Sequence, residues 1–299
     1  MNVPLFVGLT TVDLAYAVDA YPAEDTKTRA RDQFLGAGGP AANAAVACAI
    51  LTGGARLLTA VGRHPLTALI RDDLRSHGVE LVDTTARRTD PPPISSIVVA
   101  AGAGTRTIVS LDGSGIEAPF DHAFADLVRE APVVLVDGHH IELALGIARV
   151  ARDAGVPVVL DGGRWKPEHT QLLPLVDIAI CSASFAPPGA ENVFDHLHRI
   201  GVRAVAVTRG QQPILHSANG IRGEIAVGEV DGADTLGAGD ILHGAFCAYH
   251  SRGHDFADAL TRAAAVATLS CRFFGTRAWG DRLGEPRTPG QAHRPGRMR

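Results

Sequence analysis

An aspartate that follows three small residues is the most informative feature of the sequence. Asp240 comes directly after Gly237-Ala238-Gly239 and leads into an apolar run over residues 241–250. This pattern predicts a tight turn that opens a helix, and the free backbone N–H groups and dipole of such a helix end suit a phosphate. A carboxylate there can accept the proton of a hydroxyl group as that oxygen attacks a phosphate. In isolation, capping of the helix by Asp240 is the simpler interpretation, because acids are favoured at helix N-termini.

A second motif upstream favours the catalytic interpretation. Gly38-Gly39-Pro40-Ala41-Ala42-Asn43 precedes an alanine-rich helix, and with the segment 234–240 it closely resembles the PfkB or ribokinase family of sugar kinases. The resemblance covers nearly the whole chain, from Val7 to about Gly280, and two ordered motifs at the proper separation make it specific. It implies that Asp240 is the catalytic base and that the amides of Gly237, Ala238 and Gly239 form the anion hole for the transferring phosphoryl group. Electrostatic stabilisation of this kind is the main catalytic contribution expected in phosphoryl transfer.

The same resemblance implies binding residues for both substrates. For the sugar they are Asp13, Lys27, Gly38, Gly39, Asn43 and Arg106. For the nucleotide they are Thr208, Gly210, Asp234, Thr235, Cys271 and Gly275. The implied cofactors are ATP and Mg²⁺, with the metal bridging the phosphates largely through water. The family also places a monovalent cation such as K⁺ beside the anion hole, which here means near Asp234 and the carbonyls after Cys271.

The implied acceptor is a primary hydroxyl of a ketose or related sugar. The sequence looks most like the sulfofructose kinase and ketohexokinase branches, and Lys27 falls where the former place a lysine toward the sulfonate. A solvated surface lysine is the other interpretation of Lys27, so a sulfosugar is not assigned. A nucleoside acceptor remains an alternative within the same fold.

One family motif is missing. The family's N-x-x-E, which organises Mg²⁺ and water, should follow the strand near residues 176–180, where this chain has Ser182-Ala183-Ser184-Phe185. The metal ligands are therefore left unassigned. A sensor that binds nucleotide or sugar with weakened catalysis remains a second alternative.

Composition excludes several other classes of protein. The 299 residues include 28 Lys and Arg against 32 Asp and Glu, so the net charge of −4 provides no footprint for nucleic acid, and no apolar run is long enough to cross a membrane. The two lysines, Lys27 and Lys166, do not follow a P-loop glycine, and no complete G-x-G-x-x-G supports a dinucleotide-dependent oxidoreductase. The four cysteines lack metal-binding spacing, which is typical of buried thiols in the reducing cytoplasm.

The order of predicted elements indicates the architecture. Strands of about five residues alternate with longer helices, which predicts an α/β fold with a doubly wound, mostly parallel sheet flanked by helices. Residues 13–36 and 94–111 break this rhythm and are predicted to form a small β lid. We expect one kinase domain over residues 1–280 and a disordered tail over 281–299, which is rich in glycine, proline and arginine. The resemblance also implies a homodimer formed through the lid.

Overall fold

The computed structural model describes residues 2–100, 102, 104–230 and 234–283. In this part of the chain the strands are β1 (Leu5–Val7), β2 (Thr11–Val18), β3 (Asp32–Gly38), β4 (Ala55–Thr59), β5 (Val79–Asp83), β6 (Ile94–Ala100), β7 (Thr105–Ser110), β8 (Val134–Val136), β9 (Val158–Gly162), β10 (Ile178–Ser182), β11 (Ala204–Arg209), β12 (Gln212–Ala218) and β13 (Ile221–Ile225). The α-helices are α1 (Pro40–Thr52), α2 (Thr67–Ser76), α3 (Ala125–Glu130), α4 (Ile141–Ala154), α5 (His169–Leu172), α6 (Val193–Ile200), α7 (Ala238–His250) and α8 (Phe256–Ser270).

The larger of the two sheets has the strand order β13-β12-β11-β10-β9-β8-β1-β4-β5. All pairs from β11 to β5 are parallel, and β12 and β13 form an antiparallel edge. The carboxyl ends of the parallel strands therefore meet at one side of the sheet, where open α/β sheets bind their ligands. This confirms the predicted doubly wound α/β fold.

Both faces of this sheet are buried, as the alternation of side chains along β1 illustrates. Phe6 packs into the core that contains α1, α7 and α8, whereas Leu5 and Val7 point into the core on the α4 side. A strand covered on both faces must be apolar at successive positions, because its side chains alternate between the faces. The apolar run over residues 4–9 therefore indicates a strand that is buried on both faces, and β1 lies within it.

The smaller sheet has the strand order β3-β2-β6-β7, and we call it the lid sheet. It is built from the two segments that break the helix–strand rhythm. Asp13 pairs with Ser95, which pairs with Ser110, so these three side chains share one face. Leu14, Leu35 and Val109 lie on the opposite face. The predicted division of the chain at residue 280 remains a prediction, and the predicted tail from residue 284 onward lies outside the described residues.

The β12–β13 hairpin is absent from the sequence-based prediction. Its turn is Asn219-Gly220, and both residues have positive φ angles, 53° and 75°. Asn-Gly between two strands is the strongest short signal for a two-residue hairpin turn, so this element could have been predicted. Within the described residues, no helix is long and apolar enough to cross a membrane.

Candidate active site

A cavity of about 280 Å³ lies between the lid sheet and the carboxyl side of the large sheet. One wall is formed by β2, β6 and β7, and the other by the N-terminal ends of α1 and α7. Seven of the predicted site residues line it: Asp13, Gly39, Asn43, Arg106, Gly237, Gly239 and Asp240. Residues separated by more than 200 positions in the sequence thus line the same cavity.

Asp240 lies in the first turn of α7 and is held by Asn43 of α1. The Nδ2 of Asn43 donates a hydrogen bond of 2.8 Å to Oδ2 of Asp240. The two helices can approach because Gly244 faces the backbone of Ala44: a Cβ on Gly244 would lie only 2.1 Å from the Ala44 carbonyl oxygen. A glycine on α7 thus brings the amide and the carboxylate into contact.

The pKa of the Asp240 carboxyl is raised well above its usual range. Burial is the largest cause, and the negative charge of Asp161 is the next, while the hydrogen bond from Asn43 opposes both. Asp161 is buried at the end of β9, and burial also raises its pKa, opposed by the nearby His243. Desolvated carboxylates with like-charged neighbours bind protons more tightly, and such groups are typical of sites that transfer protons.

The N-terminus of α7 adjoins this carboxylate. Gly237 is the N-cap residue with a φ of 67°, and a Cβ there would lie 2.6 Å from Cγ2 of Thr276. The amide of Ala238 donates to the carbonyl of Thr235 at 3.3 Å, so it is already partly engaged within the turn. The N–H groups of a first helical turn otherwise lack acceptors within the helix, and here they open toward the cavity beside Gly239. This arrangement can hold a phosphate next to Asp240.

Asp13 and the glycines predicted to bind the sugar pack closely around one another. The hydroxyl of Thr11 donates to Oδ1 of Asp13 at 2.6 Å, and burial raises the pKa of Asp13. The two glycines also have packing reasons to be glycine. A Cβ on Gly38 would lie 1.9 Å from Cγ of Asp13, and one on Gly39 would lie 2.5 Å from the carbonyl oxygen of Leu9.

The two predicted cations on the sugar side differ in their placement. Arg106 of β7 lines the cavity and donates to the hydroxyl of Thr235, which joins the lid sheet to the turn before α7. Lys27 is exposed in the connection between β2 and β3, and among the described residues it is not part of the cavity wall. A role for Lys27 in reading an acceptor's charge remains a prediction.

The residues predicted to bind the nucleotide lie in two groups. Asp234 ties three segments together: its amide donates to the carbonyl of Cys271 at 2.9 Å, and its Oδ2 accepts from the amide of Gly275 at 2.9 Å. Thr208 lies near the end of β11, and Gly210 forms the turn that follows it. Among the described residues neither group is part of the cavity wall. Asp234 precedes α7, and Thr208 lies where β11 ends, at the carboxyl side of the sheet.

The segment that replaces the family's N-x-x-E has a structural role. Ser184 donates its amide to the Ser182 hydroxyl at 3.0 Å, which closes a local turn after β10. Phe185 is only 3% exposed and packs against Trp165 and His169. A buried aromatic ring cannot take the place of a metal-organising carboxylate. Within the described residues, no cluster of three or more His, Cys, Asp or Glu side chains could hold a metal ion.

Sequence reasoning missed two groups that contact the predicted residues. His243 lies one turn after Gly239 on α7, and its Nδ1 is 2.7 Å from the Gly239 carbonyl oxygen and 3.4 Å from Oδ2 of Asp161. Arg277, beyond α8, donates to Oδ1 of Asn43. Asp161 could be placed at the carboxyl edge of the sheet from its position after an apolar strand, but Arg277 lies in a loop that has no such signal.

A second depression, of about 420 Å³, is lined by His198, Arg203 and Arg222 among other residues. Although larger, it lies where β11 begins, at the amino side of the sheet, and contains none of the predicted residues. Ligands of open α/β sheets bind at the carboxyl side, so we take the smaller, more enclosed cavity as the candidate site.

The chain is similar to known proteins in both sequence and structure. The family model described as pfkB family carbohydrate kinase matches residues 4–280. The chain is 28% identical over 278 residues to an ATP-dependent ribose-1-phosphate kinase of Halopiger xanaduensis, covering 92% of this chain and 93% of that protein. It is 25% identical over 252 residues to ketohexokinase of Mus musculus, covering 80% and 79%. The solved structure of Arabidopsis thaliana ribokinase complexed with ribose and ATP shares the fold, with a TM-score of 0.73, 23% identity, and coverage of 96% of this chain and 100% of that one.

Proposed function

The chain belongs to the pfkB family of carbohydrate kinases, and on that premise we propose that it transfers the γ-phosphate of ATP to a primary hydroxyl of a ketose or related sugar, with Asp240 as the base. At the coarser level the chain is an ATP-dependent sugar or nucleoside kinase of the ribokinase family. The main support for Asp240 as the base is its contact with Asn43, which lies inside the cavity and beside the N-terminus of α7.

The proposed reaction moves one proton and one phosphoryl group. The acceptor oxygen forms a bond to the γ-phosphorus, and the bond from that phosphorus to the bridging oxygen breaks, so that ADP leaves with the electron pair. The hydroxyl proton passes to a carboxylate oxygen of Asp240. Amides at the α7 N-terminus stabilise the charge on the transferring group.

The residues present fit the phosphates of ATP better than a metal held directly by protein. The α7 N-terminus can hold phosphate oxygens beside Asp240, and Asp234 positions the adjacent turn through Cys271 and Gly275. Mg²⁺ is expected for this family, and when bound it would neutralise charge on the phosphates. Phosphate and water oxygens suit it as ligands, because Phe185 stands in place of the family's acid. A K⁺ ion beside Asp234 is part of the proposal and is supported only by the family.

An uncharged, hydroxyl-rich acceptor suits the cavity. Its lid wall presents hydrogen-bonding side chains from Thr11, Asp13, Ser95, Ser110 and Asp112. Carboxylates accept hydrogen bonds and hydroxyls both accept and donate them, so this wall can bind several sugar hydroxyls at once. The similarity to ketohexokinase supports a ketose. The similarity to a ribose-1-phosphate kinase makes a phosphorylated pentose the first competing acceptor to test.

The experiment is ADP release with ATP and Mg²⁺ across ketoses, aldoses, sugar phosphates, sulfosugars and nucleosides, with Asp240→Asn as the control. Phosphorylation of a ketose that is lost in the variant supports the proposal. Turnover only with nucleosides or only with sugar phosphates contradicts the proposed acceptor but not the kinase. ATP binding without turnover on any acceptor favours the sensor alternative.

We also propose a homodimer through the lid sheet. The face of that sheet directed away from the cavity exposes apolar side chains at Leu35 and Val109, the latter 70% exposed. Exposed apolar patches of this kind commonly mark interaction surfaces. Light scattering of the wild type and of Val109→Asp tests this: a wild-type monomer would contradict it.

A further inference from the structure

Arg277 connects Asn43, the hydrogen-bond partner of the proposed base, to the lid sheet. Arg277 lies in the loop after α8, and its side chain is only 10% exposed. Its Nη1 donates to Oδ1 of Asn43 at 3.0 Å and to Oγ1 of Thr276 at 2.7 Å. Its Nη2 donates to the carbonyl of Ala37 at 2.6 Å and to Oδ2 of Asp73 at 3.0 Å.

The contact with Asn43 sets which way its amide faces. An amide group has one accepting end and one donating end. Because Arg277 can only donate, the oxygen of Asn43 must face Arg277, and the Nδ2 then faces Asp240. If the amide were reversed, its oxygen would oppose the carboxylate of Asp240 and its N–H groups would oppose a guanidinium, so both contacts would become repulsive.

The other half of the guanidinium is anchored away from the site. Asp73 of α2 accepts from the amide of Ala37 at 3.0 Å as well as from Arg277, and Nδ1 of His77 lies 3.3 Å from its other oxygen. Burial raises the pKa of Asp73, but the hydrogen bond with His77 and the charge of Arg277 lower it to about 2, so this carboxylate is ionised at neutral pH. The centroid of the Phe34 ring on β3 lies 5.8 Å from the guanidinium carbon.

We infer that Arg277 is a positioning residue for phosphoryl transfer, which orients Asn43 toward Asp240 and locks that orientation to the β3 end of the lid sheet. This rests on the proposed role of Asp240. Among the described residues Arg277 is not part of the cavity wall, so it acts through Asn43 rather than on the substrates. This position requires an arginine, because a planar guanidinium group can donate hydrogen bonds to Asn43 and Asp73 at the same time. The ammonium group of a lysine cannot reach both.

A double-mutant cycle between Arg277 and Asn43 tests this. The kcat at saturating ATP and sugar would be measured for the wild type, Arg277→Gln, Asn43→Ala and the double variant, with melting temperatures to show that each is folded. Arg203→Gln is the matched control, since Arg203 also pairs with an aspartate, Asp177, but on the amino side of the sheet. A second cycle uses Arg277→Lys, which keeps a positive charge opposite Asp73. This cycle provides the test if Arg277→Gln does not fold.

We expect Arg277→Gln and Arg277→Lys to lower kcat by roughly 10- to 100-fold, the loss expected when a catalytic group is misplaced by about an ångström. In the Asn43→Ala background the same substitutions should change kcat by less than about twofold, because the group through which Arg277 acts is gone. The KM for ATP should stay near the wild-type value in Arg277→Gln and in Arg277→Lys.

Two outcomes would overturn the inference. If Arg277→Gln lowers kcat by the same factor in the wild type and in Asn43→Ala, Arg277 acts independently of Asn43. If the kcat of Arg277→Gln equals that of Arg203→Gln, Arg277 has no role in positioning. Failure of the underlying function is distinguishable: it would appear as full activity in Asp240→Asn, whatever Arg277 does.

Discussion

The amide of Asn43 and the carboxylate of Asp240 meet across 197 positions of sequence, through a hydrogen bond of 2.8 Å between the first turns of α1 and α7. Both helices begin at glycine-containing turns, and both N-termini open into the same cavity. Two helix dipoles therefore point at the place where charge develops in phosphoryl transfer. The contact fixes the carboxylate of Asp240 beside the N-terminus of α7.

Replacement of Asp240 by Asn is expected to lower kcat by roughly 10²–10⁴-fold, the usual contribution of a positioned general base. The variant keeps the size of the side chain, so the fold and the affinity for ATP should be unchanged. Steady-state kinetics and ATP-binding calorimetry check this. Wild-type turnover in the variant would remove Asp240 from the role of base.

The pH dependence of kcat/KM should reflect the raised pKa of Asp240. The base must be ionised to accept a proton, so activity falls as the pH drops through that pKa, at a pH above the ordinary range for aspartate. Asp161→Asn removes the neighbouring negative charge that helps to raise it, so the acid limb should move to lower pH. Because burial is the larger cause, the limb should stay above the ordinary aspartate range.

Titration of ATP cannot produce that shift, since wild type and variant use the same nucleotide. An acid limb that stays in place in Asp161→Asn would contradict the proposed interaction.

Gly237→Ala should destabilise the protein by about 1–2 kcal/mol, because its φ of 67° is unfavourable for any residue with a Cβ, and that Cβ would meet Thr276. Gly239→Ala is the matched control. A Cβ there has no neighbour within 4 Å, and the residue is already helical. Its melting temperature should be unchanged or slightly higher, because alanine favours a helix over glycine. Equal destabilisation in both variants would argue against strain at Gly237.

His139 should stabilise the fold in a pH-dependent way. Burial by itself lowers the pKa of His139, but the charge of Asp137 and the hydrogen bond with Asp112 raise it to about 10. The stabilisation is then fully present below the unfolded pKa of about 6.5 and is lost as the pH rises toward 10. His139→Gln should cost about 1.5–3 kcal/mol at neutral pH, the value of a hydrogen bond to a charged group.

The measurement is the free energy of unfolding from pH 6 to 10, with exposed His122→Gln as the control. In the wild type the free energy of unfolding should decrease as the pH rises. Part of this decrease should be absent in His139→Gln and unchanged in His122→Gln. The same decline in both variants would contradict the assigned pair.

Charge recognition by the acceptor site can be assigned with two variants. We expect Arg106→Gln to raise the KM of an anionic acceptor by roughly tenfold, the loss expected for one charge-assisted hydrogen bond. Lys27→Ala should raise KM only for anionic acceptors and by less, since Lys27 is exposed outside the cavity wall. Equal effects on neutral sugars would show that neither residue reads a charge.

Much of the fold could be predicted from the sequence because its signals are local. Apolar runs of about five residues marked β1 and β9, and proline after two glycines marked the start of α1 at Pro40. The turn before α7 and the first-turn acid likewise depend on neighbours in the chain. The family motifs then related Asn43 to Asp240 before any distance was known.

Only the tertiary structure decided which groups surround that pair. The contact of Gly244 with Ala44 sets how closely α1 and α7 approach, and strand order brings Asp161 beside Asp240. Arg277 reaches Asn43 from 234 positions away, out of a loop with no periodicity to predict it. Local sequence determines where elements begin and end, whereas burial and charge at the site depend on contacts between distant segments, which short-range patterns do not encode.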